Sequence, residues 1–224
     1  MATKKNKENK QGNDIPREPL DKDKIVQTAL ELINEVGLQK LTTRRLAEAI
    51  GIRSASLYWH VRDKSELLQL LAESICSRLH MPDPSLTWQE QMISFSREYR
   101  LTLLSIRDSA EVLLETPPMT PKRLLLMEAM LSILAKADFP PEEIVMASML
   151  VNDYVLSFVR DEALMSRMEI PDDYFHCLSA EQYPTVLSLA QYMVFDMNQH
   201  FEYGLKLLLS GFEAKLKSKS DNRS

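Results

Sequence analysis

Residues 42–68, TTRRLAEAIGIRSASLYWHVRDKSELL, decide how this chain is read. Leu46, Ala47 and Ile50 recur at helical spacing. Gly51 then supplies a positive-φ corner that a Cβ would penalise. Ile52 tucks the turn back onto the core, and Ser54 is placed to cap the next helix through its hydroxyl. That helix is expected to expose Ser54, Ser56, Tyr58, Trp59 and His60 while Ala55 and Leu57 face inward. Three consecutive bulky residues cannot share one side of a helix, so at least one aromatic must point to solvent. Two short helices, a tight glycine corner and small hydroxyls opening the second helix make a helix-turn-helix.

Working outward, Asp21 can cap a preceding helix whose apolar stripe is Ile25, Val26, Ala29, Leu30, Leu32 and Ile33. Gly37 ends that helix where a left-handed residue is expected. On the other side, Asp63-Lys64-Ser65-Glu66 is a capping-box pattern that opens a fourth helix running to about Leu79. Three helices thus form a reading head and the fourth connects it to the rest. Pro82 and Pro84 mark a break. The expected division is an arm at 1–19, a head at 20–81, a second domain at 82–218 and a flexible tail at 219–224. Residues 1–19 are polar and charged, which reads as disorder, with Lys4, Lys5, Lys7 and Lys10 clustered there.

The second domain also reads as helical. Thr87-Trp88-Gln89-Glu90 is a further capping box, and Asp108 to Glu111 repeats the device for a short helix. Thr120-Pro121 pairs an N-cap with proline at the first helical position. Pro140-Pro141 opens a long helix that is apolar nearly all round, from Ile144 to Val159. Residues 169–183 read as a loop. The last helix carries Phe201, Leu205, Leu208, Phe212 and Leu216. A helix without a wet face is buried on several sides. One side is expected to meet its own domain and another a second copy of the chain, with Leu150, Tyr154, Phe158, Phe201, Leu205, Leu208 and Phe212 at that interface. The fold class is therefore all-α.

The formal net charge of −5 over 224 residues looks unfavourable for a DNA binder. It is unevenly spread. Residues 1–80 hold 14 Lys/Arg against 11 Asp/Glu, and the remainder 13 against 21. Phosphate attraction is screened within about 8 Å at physiological salt, so an acidic domain held away from the duplex does not oppose binding. No apolar run approaches a membrane span and no secretory signal is visible after Met1, so a cytoplasmic location is expected. Cys76 and Cys177 stand far apart and read as two reduced thiols.

LDKDKIVQTALELINEVG (20–37), LTTRRLAEAIG (41–51) and LYWHVRDKSELLQLLA (57–72) resemble the DNA-binding domain of the tetracycline repressor family. The likeness continues more weakly in LLSIRDSAEVLLETPP (103–118) and FEYGLKLLLSGFEAKLK (201–217). The resemblance implies a homodimer that binds a pseudo-palindromic double-stranded DNA operator, pairs its subunits through a four-helix bundle, and is released by a small-molecule effector. It also implies the DNA contacts: Thr43 and Arg44, then Ser54, Ala55, Ser56, Tyr58, Trp59 and His60, with Lys64 beyond. Their chemistry agrees. Arg44 can fork onto guanine O6 and N7, and Thr43, Tyr58, His60 and Lys64 suit phosphate oxygens. Ser54-Ala55-Ser56 stand where tetracycline repressors usually carry Gln-Pro-Thr, so a different target is expected. Arg53 is an additional candidate reader.

An effector pocket is expected among His80, Phe95, Tyr99, Leu113, Thr116, Met127, Met130 and Asp161. In tetracycline repressors a histidine at the position of Leu113 helps to hold a chelated metal, and an acidic residue lies near Asp161. Without that imidazole a lone carboxylate anchors a hard cation weakly. The expectation is a lipophilic effector without metal or other cofactor, with Asp161 as counter-ion for a cation. No nucleophile elbow, phosphate-binding glycine loop, HExxH or CxxC spacing is present, so no catalytic residues are assigned. Two other readings stay open. One is a constitutive dimeric DNA-binding module without effector; the other is an enzyme acting on small molecules.

Overall fold

The computed structural model describes residues 21–169, 177–193 and 196–221, with the backbone alone at 219–221. The basic arm at 1–19, the end of the tail and part of the expected loop at 169–183 lie outside the described residues. Among those described the chain is wholly helical: α1 Lys22–Val36, α2 Thr43–Ile50, α3 Ser54–Leu57, α4 Lys64–Cys76, α5 Trp88–Leu104, α6 Ser109–Leu114, α7 Pro121–Lys136, α8 Pro141–Met165, α9 Pro184–Leu189 and α10 Met197–Asp221.

α1, α2 and α4 pack around a small core in which Ile25, Ala29, Ile33, Leu46, Leu57, Leu67 and Leu71 are all buried. Asp21 caps α1 by accepting from the Lys24 N–H at 2.8 Å. Gly37 ends α1 with φ 84° and ψ 158°, a positive-φ conformation outside the left-handed helical region expected for it. It leads directly into the 3-10 turn Leu38–Lys40, which buries Leu38. α4 stops at Cys76, earlier than expected, and the chain beyond it still buries Leu79.

α4 continues from the head into the second domain, where it packs on α6 and α7. Beyond it α5, α8 and α10 form one bundle. Arg100 of α5, 6% exposed, ties all three together. It donates to Glu162 of α8 at 2.8 and 2.6 Å and to Asn198 of α10 at 2.9 Å. Its guanidinium also lies over the rings of Phe158 and Phe201, 5.4 and 4.9 Å from their centroids. Arg97 and Glu202 repeat the α5–α10 link at the surface. Tyr154 of α8 donates to the Phe201 carbonyl at 2.8 Å, and it crosses α10 at Gly204, where a Cβ would collide with its hydroxyl.

Several local expectations hold and several fail because another partner takes over, a neighbour in one case and residues distant in sequence in two others. Thr87 and Glu90 form the complete reciprocal capping box. Asp63 accepts from the Glu66 N–H, but Glu66 answers the N–H of Arg62 rather than that of Asp63. Thr120 does not cap α7. Its hydroxyl is buried without a partner, and the Glu73 carboxylate of α4 receives the Lys122 N–H instead, at 3.0 and 2.9 Å. Asp108 precedes α6 in a left-handed conformation and makes no cap. Its carboxylate accepts from the Leu38 N–H in the head at 2.8 Å and from Arg167 at 3.1 Å.

Part of the expected dimer stripe, Phe158, Phe201 and Leu205, needs correction. Phe201, Leu205 and Phe158 are buried in the chain's own core, and Leu208, Phe212 and Tyr154 pack against it. Helical periodicity marks a buried face without saying which chain buries it. Leu150 does remain exposed, alongside Val145, Met146 and Met149 on α8 and Tyr203 and Leu207 on α10.

Candidate functional site

The head presents a basic, aromatic surface. Thr42 caps α2 by accepting from the Arg45 N–H, which sets Thr43 and Arg44 at the helix start. Gly51 adopts φ 80° and ψ 32°, the left-handed corner expected there, and its N–H returns to Ala47 and Glu48. The Ile52 N–H also returns to Ala47, fixing the angle between α2 and α3. Arg53, not Ser54, occupies the N-cap position of α3, and no side chain caps that helix.

α3 is a single turn. Tyr58, Trp59 and His60 follow it in a hydrogen-bonded turn in which the N–H groups of His60 and Val61 both return to the Leu57 carbonyl. Leu57 and Val61 are buried anchors on either side; between them Tyr58 and Trp59 are exposed and His60 is half-buried. Trp59 is 89% exposed and Tyr58 51%. Ala55, expected to face inward, is exposed as well, because a four-residue helix held by Leu57 leaves its opposite side free. The Thr43 and Tyr58 hydroxyls meet at 3.3 Å, joining α2 to the turn after α3. Arg44 is exposed and held by Glu48 of its own helix at 3.0 Å. Lys64 opens α4 and is exposed.

Lys40, Thr42, Arg44, Arg45 and Glu48 line a shallow concavity in this surface. Sequence reasoning left out Lys40, Thr42 and Arg45. The adjacency of Arg45 to Arg44 was the available signal. Exposed side chains that combine guanidinium and ammonium charge with hydroxyls and an aromatic suit a phosphate backbone and base edges.

The second feature is a cavity of about 320 Å³ between α4, α5, α6, α7 and α8. Phe95, Tyr99, Leu113, Thr116, Met127 and Met130 line it. His80 does not: its ring lies outside, paired with Glu98 at 2.7 Å. Nor does Asp161, which is exposed and faces Arg160 at 3.6 Å. The wall contains residues that the sequence did not single out, among them Cys76, Ser96, Arg123, Met149, Asn152 and Asp153. They come from four helices, and only the fold brings them together.

The electrostatics of the cavity are simple. Burial pushes the Cys76 thiol up from 9.0 to about 11 and the Tyr99 phenol up as well, so both are neutral near pH 7. Ser96 Oγ is buried without a hydrogen-bond partner. A larger, polar depression of about 670 Å³ lies beside the α5–α6 loop and the end of α8. The smaller cavity is the better effector candidate because it combines an apolar wall with a few polar groups. Among the described residues no cluster of His, Cys, Asp and Glu could hold a metal ion, and no helix is long and apolar enough to cross a membrane.

Comparison with known proteins places the molecule. Residues 25–71 match the model for bacterial regulatory proteins of the tetR family, and residues 81–216 match that for the tetracyclin repressor-like C-terminal domain. The chain is 33% identical to the class D tetracycline repressor protein of Escherichia coli, over 88% of this chain and 91% of that one. Its fold is similar to that of ActR, a Streptomyces coelicolor TetR family protein solved in complex with actinorhodin. The TM-score is 0.79 at 28% identity, covering 88% of this chain and 99% of that one. It is also similar to BioQ solved with its double-stranded DNA operator, with a TM-score of 0.65 at 26% identity, covering 87% and 99% of the two chains.

Proposed function

Since this chain belongs to the tetracycline repressor family, we propose that it is a homodimeric transcriptional repressor that leaves a pseudo-palindromic operator when a small, largely apolar molecule fills the cavity. It acts in the cytoplasm, and its role is regulatory rather than catalytic. The head spans residues 20–81 and the effector and dimerisation domain 82–218, with 1–19 and 219–224 as flanking arm and tail. The observation that carries the reading is Trp59, a large aromatic left almost wholly in solvent between two buried anchors, beside a basic concavity. Apolar surface of this size in a helix-turn-helix is explained by a partner surface.

Arg44, Arg53, Ser54, Ala55, Ser56, Trp59 and Lys64 would meet the duplex with Thr43, Tyr58 and His60, and Lys40 and Arg45 would add phosphate contacts. The subunits would pair through the exposed apolar faces of α8 and α10, from Met146 and Leu150 to Tyr203 and Leu207. Gly211 supports this, because a Cβ there meets nothing within 4 Å in its own chain. Glycine inside a helix costs up to about 1 kcal/mol relative to alanine, and close approach of a second helix accounts for it.

Two links join cavity and head. α4 contributes Cys76 to the cavity wall and Leu67 and Leu71 to the head core. The loop before α6 holds the Leu38 N–H through Asp108. A ligand that shifts α4 or α6 therefore moves the head, and linkage requires DNA to oppose the ligand equally. The test is a gel shift on the DNA flanking the chain's own gene, with Trp59→Ala and Arg44→Ala as controls. The reading requires a retained band lost in both variants. Equal retention of all three proteins would dismiss the DNA surface.

A further inference from the structure

We propose that the effector is an amphipathic anion, an apolar body carrying a carboxylate or similarly acidic group that sits against Arg123. This rests on the effector-cavity reading above and specifies its chemistry.

Arg123 of α7 lines the cavity and is partly buried. Its Nη1 donates to the carbonyls of Thr116 and Pro117 at 3.0 and 3.2 Å and to Thr116 Oγ1 at 2.7 Å, and its Nη2 donates to the Leu113 carbonyl at 3.2 Å. These acceptors close the end of α6 and fix the guanidinium in place, yet none of them carries a charge. No carboxylate pairs with Arg123 among the described residues. Nε–H and one hydrogen of Nη2 have no acceptor there, and a planar fork with free donors is matched to a carboxylate. The Glu73 carboxylate, which accepts the Lys122 N–H, is not part of the cavity wall and makes no ion pair with Arg123.

The remaining groups of the wall do not supply the missing anion. The Cys76 thiol is neutral at physiological pH, held so by burial, and the Tyr99 phenol likewise. Asp153 is the other charged residue of the wall and is exposed to solvent, where its field is screened. The charge on the partly buried part of the wall is thus a fixed cation that shares the cavity with Phe95, Leu126 and Met130, with the orphaned Ser96 hydroxyl available to a second polar atom of the ligand. Placing Asp161 as counter-ion to a cationic effector fails on geometry, since Asp161 is outside the cavity. A partly desolvated cation that no carboxylate touches discriminates in favour of anions and against cations of equal size.

The experiment titrates the full chain with two fluorescent probes that share one aromatic body, the anion 8-anilinonaphthalene-1-sulfonate and the uncharged N-phenyl-1-naphthylamine. The expected result is about tenfold tighter binding of the anion. That preference should vanish in Arg123→Gln, persist in Arg123→Lys, and leave binding of the uncharged probe within about twofold. Met127→Trp, which fills the cavity, should weaken both probes and so separates the cavity from other apolar surfaces. Equal affinities in the wild type, or an unchanged preference in Arg123→Gln, overturn the anion assignment and leave the cavity standing. Failure of both probes to bind, or indifference of both to Met127→Trp, overturns the cavity itself and this inference with it.

Discussion

The carboxylate of Asp108, in the loop that opens α6, accepts the backbone N–H of Leu38, in the turn that closes α1 of the head, at 2.8 Å. The neighbouring Arg107 N–H reaches Asn34 Oδ1 at 2.8 Å, and its guanidinium reaches the Glu35 carbonyl at 3.2 Å. The second domain therefore grips the end of α1 by hydrogen bonds, separately from the α4 connection. Replacing Asp108 by Ala should cost about 1–3 kcal/mol, because a part-buried N–H loses its acceptor and Arg167 its partner. Asp108→Asn should cost less, since Asn tolerates the left-handed backbone and keeps one acceptor oxygen. Urea unfolding of both variants checks the ranking; equal losses would place the effect in the ion pair rather than the Leu38 bond.

Arg100 supplies a prediction about the bundle. Its removal leaves Glu162 partly buried and unpaired, so Arg100→Ala should lose about 3–5 kcal/mol. The double variant Arg100→Ala with Glu162→Ala should lose less than the two single losses added together, because the stranded charge is gone. A double-mutant cycle by chemical denaturation measures the difference, and simple additivity would refute the coupling.

Cys76 and Cys177 should separate by reactivity. Cys76 is buried, and its thiol is raised to about 11, whereas Cys177 is exposed. A thiol reagent at pH 8 should label one cysteine in the native chain and both after denaturation. The sign of the alkaline effect follows. The unfolded thiol ionises near 9.0 while the folded one holds its proton to about 11. The stabilisation is complete below pH 9 and declines as pH rises through the interval between these values. Cys76→Ala should flatten that decline in a pH series of melting curves.

Leu207 and Leu150 are exposed on α10 and α8, whereas Leu208 and Phe212 are half-buried against the chain's own core. Leu207→Asp with Leu150→Asp should give a folded monomer in sedimentation, because charge enters the interface and not the core. Loss of helicity together with the dimer would place these residues in the protomer's own stability.

What the sequence disclosed was largely local. The Thr87–Glu90 box, the Gly51 corner and the proline at the start of α7 are each set within a few residues, and each was legible. The Thr120 cap does not form because Glu73, 49 positions before the Lys122 N–H that it receives, supplies the acceptor. Tyr58 and Trp59 reach solvent as the sequence implies, whereas His60 is half-buried, and all three lie in a turn rather than on a helix, since the anchors Leu57 and Val61 close the chain after four residues. The stripe on α10 was legible as a buried face and not as a partner, because periodicity is the same for either. Ser96 and Arg123 could not be found at all. Each is unremarkable in its own segment and becomes a site residue only when α5 and α7 enclose one cavity.

The reading head is tested most directly by in vitro selection from a random double-stranded library with the full chain. The account predicts enrichment of one two-fold symmetric site with half-sites spaced for successive major grooves, about 34–36 Å apart. Arg44→Ala should bind the selected site about 1–3 kcal/mol more weakly with its helicity intact. Recovery of no common sequence, or of a site bound equally by Arg44→Ala, would contradict it.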